Sequence, residues 1–234
     1  MGKSKTILEK LKFGLIVSCQ AEGDSPFNSP EGVTLFARAA LQGGAKGIRS
    51  EGVEKTKRIL SEVDIPVIAL SKSYFQDGTV RITGSIKEVE KLMEIGPGII
   101  AVDGTFRKRE GLSGPEFIEK LKCEFGCTLM ADISNFQEGL ECEAAGADCI
   151  STTLNGYTPE TVDDCSLGPN FQLLESLAQK ALVPVFAEGR INTPEAAAKM
   201  IRKGAWSVVT GSAITRPALI TQWYIDAIKK VLCQ

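Results

Sequence analysis

Four charged side chains follow directly on apolar, β-branched runs: Arg49 in GIRS, Lys72 behind PVIALS, Asp132 in MADIS and Glu188 behind PVFA. Gln20 after LIVSC, Asp103 after GIIAV, and Thr152 with Thr153 after CIS stand in comparable places. One such charge is ordinarily a loop-edge residue, solvated or paired with a neighbour, and Asp103 taken alone reads that way. Opposite charges gathered at one place point instead to a reacting site. The chain has no histidine, so proton transfer near neutral pH falls to other groups. Partial burial drives a lysine toward its neutral form and a glutamate toward its protonated form, which suits Lys72 and Glu188 to general base and general acid work.

A second kind of chemistry is written at the C-terminal end of the chain. AEGRINTP and VVTGSAITRP each place a small-residue turn after an apolar run. The backbone N–H groups of Gly189, Arg190, Gly211 and Ser212 are candidates to hold a phosphate, with Arg216 adding charge. One Gly-Ser turn is only a chain reversal; two at neighbouring positions form a candidate anion site.

These residues need elements to position them, and the chain supplies a rhythm. A β-branched run, a polar or glycine-containing turn and a stretch with helical apolar spacing recur to the end. Strands are expected over 13–18, 46–50, 66–71, 98–103, 128–133, 148–153, 183–187 and 206–210. Helices are expected to start near Pro30, Gly52, Ser85, Gly114, Ser134, Pro169, Thr193 and Arg216, several opened by Ser, Thr or Pro. Runs such as PVIAL and GIIAV call for burial on both faces, as in a parallel sheet covered by helices. Eight units predict a single (β/α)8 TIM barrel of the phosphate-binding type over residues 1–234, with 1–12 as a lead-in. An open doubly wound sheet fits less well, because no glycine-rich dinucleotide turn follows the first strand. In a closed ring of eight, strands three and seven are opposite, so Lys72 and Glu188 should face each other across the mouth. Two insertions, 74–82 and 156–168, exceed ordinary βα loops and fall on the same rim.

Composition narrows the partners. The 234 residues are 43% hydrophobic and 24% charged with a net charge of −2, and no basic stripe with interleaved aromatics appears, which argues against nucleic acid and anionic membrane. The N-terminal segment lacks an apolar signal core and no run approaches a membrane span, so a cytoplasmic protein is expected. Seven cysteines are scattered, mostly within apolar runs, and read as reduced, buried thiols. Cys123 and Cys127 do not have the spacing or the histidine company of a zinc site, so no metal is expected. Trp223 and Tyr224 on the last helix more often pack into a barrel's outer layer than form a dimer contact, leaving a homodimer as a guess.

The motifs GLIVSCQ, GIR, MADIS, STTLNGYT, AEGRINTP and GSAITRP, in this order and across nearly the whole chain, closely resemble those of N-acetylmannosamine-6-phosphate 2-epimerases. The resemblance implies interconversion of N-acetylmannosamine 6-phosphate and N-acetylglucosamine 6-phosphate in sialic acid catabolism, without metal or organic cofactor. It also implies Lys72 as the base and Glu188 as the assisting acid, with Gln20, Arg49, Asp132 and Arg216 as substrate contacts or supports; Thr152 and Thr153 are grouped with them. ALSKSYF around the lysine, VDGT ending strand four and VTGSA ending strand eight depart from the family's usual residues without removing an essential one. A Schiff-base sugar-phosphate aldolase and a non-catalytic phosphosugar-binding barrel are the alternatives.

Overall fold

The computed structural model describes residues 3–75, 79–165 and 168–232. The strands in chain order are β1 (Leu15–Ser18), β2 (Gly47–Glu51), β3 (Val67–Leu70), β4 (Lys72–Tyr74), β5 (Val80–Ile82), β6 (Ile99–Asp103), β7 (Leu129–Asp132), β8 (Cys149–Ser151), β9 (Val185–Glu188) and β10 (Ser207–Thr210). All but β4 and β5 close into a parallel barrel in the order β1-β2-β3-β6-β7-β8-β9-β10, with β10 returning to β1. This is the expected (β/α)8 architecture, with every expected barrel strand in place.

The helices are α1 (Lys3–Leu11), α2 (Pro30–Gln42), α3 (Val53–Leu60), α4 (Ile86–Glu94), α5 (Gly114–Phe125), α6 (Phe136–Ala144), α7 (Phe171–Lys180), α8 (Pro194–Arg202), α9 (Ser212–Thr215) and α10 (Pro217–Leu232). The start signals act as capping chemistry predicts. The side chains of Ser29, Ser85, Asn135 and Thr193 accept from backbone N–H groups in the first turns of α2, α4, α6 and α8, satisfying donors that a helix leaves unpaired.

Strand periodicity sorts every side chain into one of two layers. Ile16, Ile68, Leu70, Ile99, Ala101, Met130, Cys149, Phe186 and Val209 fill the barrel interior. Their neighbours Val17, Ile48, Ile100, Val102, Ala131, Ile150, Ala187 and Val208 face the helices. Leu8 and Leu11 of α1 join the interior set, so the lead-in segment is a helix that plugs the N-terminal end of the barrel. At the other end the inward register passes from apolar to polar side chains, and there the site forms.

Three sequence expectations need correction. The first insertion begins earlier than expected: Lys72 opens an antiparallel pair of strands, with Lys72 opposite Ile82, because β4 and β5 satisfy their backbone groups on each other outside the barrel. Residues 76–78 of the first insertion, 166–167 of the second and Cys233 lie outside the described residues. Cys19, Cys142 and Cys149 are buried, but Cys123 is exposed, since it lies on the outer side of α5. Tyr224 does not pack into the outer layer: it is 71% exposed and α10 has no buried residue. An apolar groove of about 430 Å³, lined by Phe13, Leu15, Pro194, Ala197, Ile201 and Ile214, lies over β1 and β10. No helix among the described residues is long and apolar enough to cross a membrane.

Candidate active site

A cavity of about 550 Å³ opens at the C-terminal ends of the strands. Ser18, Gln20, Arg49, Lys72, Thr153, Glu188, Gly211 and Arg216 all line it, with Leu70, Ile82 and Val209 as its apolar floor and wall. Inward periodicity explains the membership: Arg49 follows Gly47, Lys72 follows Ile68 and Leu70, Thr153 follows Cys149 and Ser151, and Glu188 follows Phe186 at steps of two.

At the base of the cavity one guanidinium serves two carboxyl groups. Arg49 grips Asp132 through both terminal nitrogens, Nη1 to Oδ1 at 3.1 Å and Nη2 to Oδ2, and its Nη1 lies 3.1 Å from Glu188 Oε2. Arg49 is 1% exposed, Asp132 0% and Glu188 13%, so the group is nearly dry, with Arg49 and Glu188 bordering the cavity and Asp132 beneath them. Thr153 Oγ1 lies 2.8 Å from Asp132 Oδ1 and 3.0 Å from Glu188 Oε2, with Ser151 Oγ also 3.3 Å from Glu188 Oε2. The Thr153 hydroxyl can donate to one carboxyl at a time, and the Ser151 hydroxyl stands beside Glu188 as a second donor. Burial, and then the charge of Asp132, hold the Glu188 carboxyl above the usual glutamate range against the pull of Arg49. Burial pushes Asp132 up as well, opposed by its bidentate Arg49. The cluster therefore carries a proton into a pH range where free carboxyls have lost theirs.

Across the cavity, Lys72 Nζ donates to Glu22 Oε1, which also accepts from Arg216 Nη2 at 3.2 Å. Gln20 Nε2 donates to Ser18 Oγ at 2.9 Å. The two glycine turns meet at the same rim. Gly189 has φ 107° and Arg190 φ 55°, a succession that a Cβ at position 189 would strain. The Arg190 guanidinium donates to the carbonyls of Asn155 and Gly156 and stacks on Tyr157, 4.4 Å from the ring centroid. The Arg190 side chain thus braces the loop after β8 at the edge of the cavity. Among the described residues no group of three or more His, Cys, Asp or Glu side chains is placed to hold a metal ion.

Two expected site residues stand elsewhere. Asp132 lies beneath Arg49 and does not border the cavity. Thr152 has outward register: its hydroxyl donates to Glu188 O at 2.9 Å and accepts from Glu188 N at 3.1 Å, so it latches β8 to β9 rather than meeting a ligand. Residues not singled out in the sequence also border the cavity, among them Ser18, Glu22, Arg107, Tyr157 and Asn192. Register alone would have found Ser18; Glu22 carries no local signal.

A family model described as "Putative N-acetylmannosamine-6-phosphate epimerase" matches residues 33–230. Among similar proteins, one from Caldanaerobacter subterraneus subsp. tengcongensis is 46% identical over 96% of this chain and 94% of its own length. Another from Clostridioides difficile is 43% identical over 95% of this chain and 99% of its own. Both carry the name "Putative N-acetylmannosamine-6-phosphate 2-epimerase". The solved N-acetylmannosamine-6-phosphate 2-epimerase of Clostridium perfringens superposes with a TM-score of 0.88 at 42% identity, covering 94% of this chain and 95% of that one. The thiamine phosphate pyrophosphorylase of Pyrococcus furiosus, at TM-score 0.59 and 17% identity over 89% of each chain, shares the fold alone.

Proposed function

Because the chain belongs to the N-acetylmannosamine-6-phosphate epimerase family, we propose that it interconverts N-acetylmannosamine 6-phosphate and N-acetylglucosamine 6-phosphate. The observation that carries the proposal is that Lys72, two residues beyond the end of β3, and Glu188, at the end of the opposite barrel strand β9, border one cavity. In the open-chain sugar C1 is an aldehyde, which acidifies the hydrogen on C2. Lys72 takes that proton as the electron pair moves toward the C1 oxygen, where the proton held by Glu188 is delivered. Return of a proton to the opposite face of C2, with collapse of the enediol to the aldehyde, inverts the centre.

In this reading Gln20, Arg49 and Thr153 contact the sugar, Asp132 supports Arg49, and Thr152 fixes the backbone that carries Glu188. Gly189, Arg190, Gly211 and Ser212 hold the phosphate through backbone N–H groups, joined by Arg216. Grip on this remote group keeps the reactive open form in place between the proton carriers. Residues 1–234 act as one barrel domain in the cytoplasm, in sialic acid breakdown, without a nucleic-acid or membrane partner. The exposed apolar side of α10, with Leu219, Tyr224, Ile225 and Ile228, supports a homodimer, which light scattering on the purified protein tests as a mass of two chains.

Proton NMR of N-acetylmannosamine 6-phosphate in heavy water tests the chemistry. The intact protein yields the gluco epimer with deuterium at C2, and Lys72→Ala loses about 10²–10⁴-fold in that rate. An unchanged C2 hydrogen with the intact protein overturns the proposal.

A further inference from the structure

Glu22 sits in the segment between β1 and α2 and has no part in the proton transfers above. Its Oε1 nonetheless meets Lys72 Nζ and Arg216 Nη2 together. These are the proposed base and the proposed phosphate cation, brought to a single carboxylate oxygen from β4 and from the residue ahead of α10. From α3, Lys55 also faces Glu22, but its ammonium is engaged by Ala21 O at 3.0 Å and by Glu51 Oε2 at 3.3 Å. Burial pushes the Glu22 carboxyl up, yet the bond and charge of Lys72, with Arg216 and Lys55, outweigh it and hold the group below the ordinary glutamate range.

We propose that Glu22 is a positioning residue: an internal anion that occupies Lys72 and Arg216 in the empty site and is displaced by the substrate's phosphate. The proposal rests on the reading of Lys72 as base and Arg216 as phosphate ligand. A lysine paired with a carboxylate holds its proton and cannot accept another from C2. A phosphate dianion offers Arg216 more charge and two oxygens at guanidinium spacing, so it outcompetes a single carboxylate oxygen. Once the phosphate is bound, two anions share one cation, and Glu22, 40% exposed, has a path into solvent. Its departure removes the counter-ion of Lys72 and frees the side chain from the ion pair to turn toward C2. The base is thereby released in the loaded site, and binding always competes with the internal anion.

Two measurements on Glu22→Gln and Glu22→Asp test this: inhibition by inorganic phosphate, and the pH profile of kcat/KM. Glu22→Gln is expected to bind inorganic phosphate about fivefold more tightly and to move the acid limb of the profile down by about one pH unit. Glu22→Asp, which keeps the charge on a shorter arm, falls between Gln and the parent. Unchanged phosphate inhibition and an unmoved acid limb in Glu22→Gln overturn the role of Glu22. Should Lys72→Ala retain turnover, the reading of the base fails instead, a result distinguishable from the first.

Discussion

Asp103 and Asp132 are cross-strand partners at the ends of β6 and β7, and each anchors a buried arginine cluster, yet the two clusters carry opposite excess charge. Asp132 and Glu188 share the single Arg49. Asp103 alone receives Arg107 and Arg109, each at 2.8 Å, with Thr105 Oγ1 at 2.5 Å and Thr105 N at 3.0 Å. Arginine does not give up its proton in proteins, so two lasting positive charges meet the one Asp103 carboxyl, and the cluster serves to hold the loop after β6. An excess carboxyl, by contrast, can take up and release a proton. Burial and arginine are common to both; the surplus carboxyl is what equips one of them for acid–base work.

Replacing one carboxylate by an amide in each cluster should therefore act in opposite senses. Glu188→Gln is expected to lower kcat/KM by about 10²–10⁴-fold while leaving Arg49 and Asp132 as a balanced pair. The Glu188 carboxyl is raised above its ordinary value of 4.5, so its ionisation is easier in the unfolded chain. Its contribution is thus favourable below that value and is lost as pH rises through the folded one. Urea midpoints from pH 4 to pH 8 should accordingly show Glu188→Gln gaining on the parent as pH increases. Asp103→Asn leaves the buried Arg109 and the half-buried Arg107 without a carboxylate and should cost about 3–5 kcal/mol, read as a fall in the urea midpoint. Were Glu188→Gln the less stable of these two variants at pH 8, the contrast in charge excess would not govern the site.

The contrast also shows which parts of the molecule could be read in advance. Barrel strands were legible because each couples an apolar run to a turn, and steps of two along those runs carry Arg49, Asp132 and Glu188 inward without knowledge of the fold. The same steps separate Thr153, in register with Cys149 and Ser151 and bordering the cavity, from Thr152, although the two stand side by side in the sequence. Lys72 keeps the inward step from Leu70 while belonging to a hairpin, because periodicity does not reveal which partner a strand will choose. Glu22 was illegible for a different reason. Its partners lie 50 and 194 residues away in the chain, and an ion pair between loops leaves no periodic trace. The exposed face of α10 escaped for the converse reason: amphipathic spacing says that a face will be covered, not by what.

The smallest expected effects compare two threonines with matching tasks. Thr105 Oγ1 donates to Asp103 and Thr153 Oγ1 to Asp132, so Thr105→Val and Thr153→Val delete the same group from the two clusters. Each should cost about 0.5–1.5 kcal/mol of stability, measured by urea unfolding. Their kinetic consequences should part. Asp103 keeps both arginines and the Thr105 N–H, so Thr105→Val should hold kcat/KM to within about twofold of the parent, well under 1 kcal/mol of barrier. Thr153 instead lies between the two carboxyls, within hydrogen-bond distance of both. Its loss lets Glu188 shift relative to Asp132, and about a tenfold fall in kcat/KM, near 1.4 kcal/mol of barrier, is expected. An equal fall in Thr105→Val would mean that the Asp103 cluster also feels the reacting sugar. Arg107, which borders the cavity while bound to Asp103, would then be the side chain through which it does so.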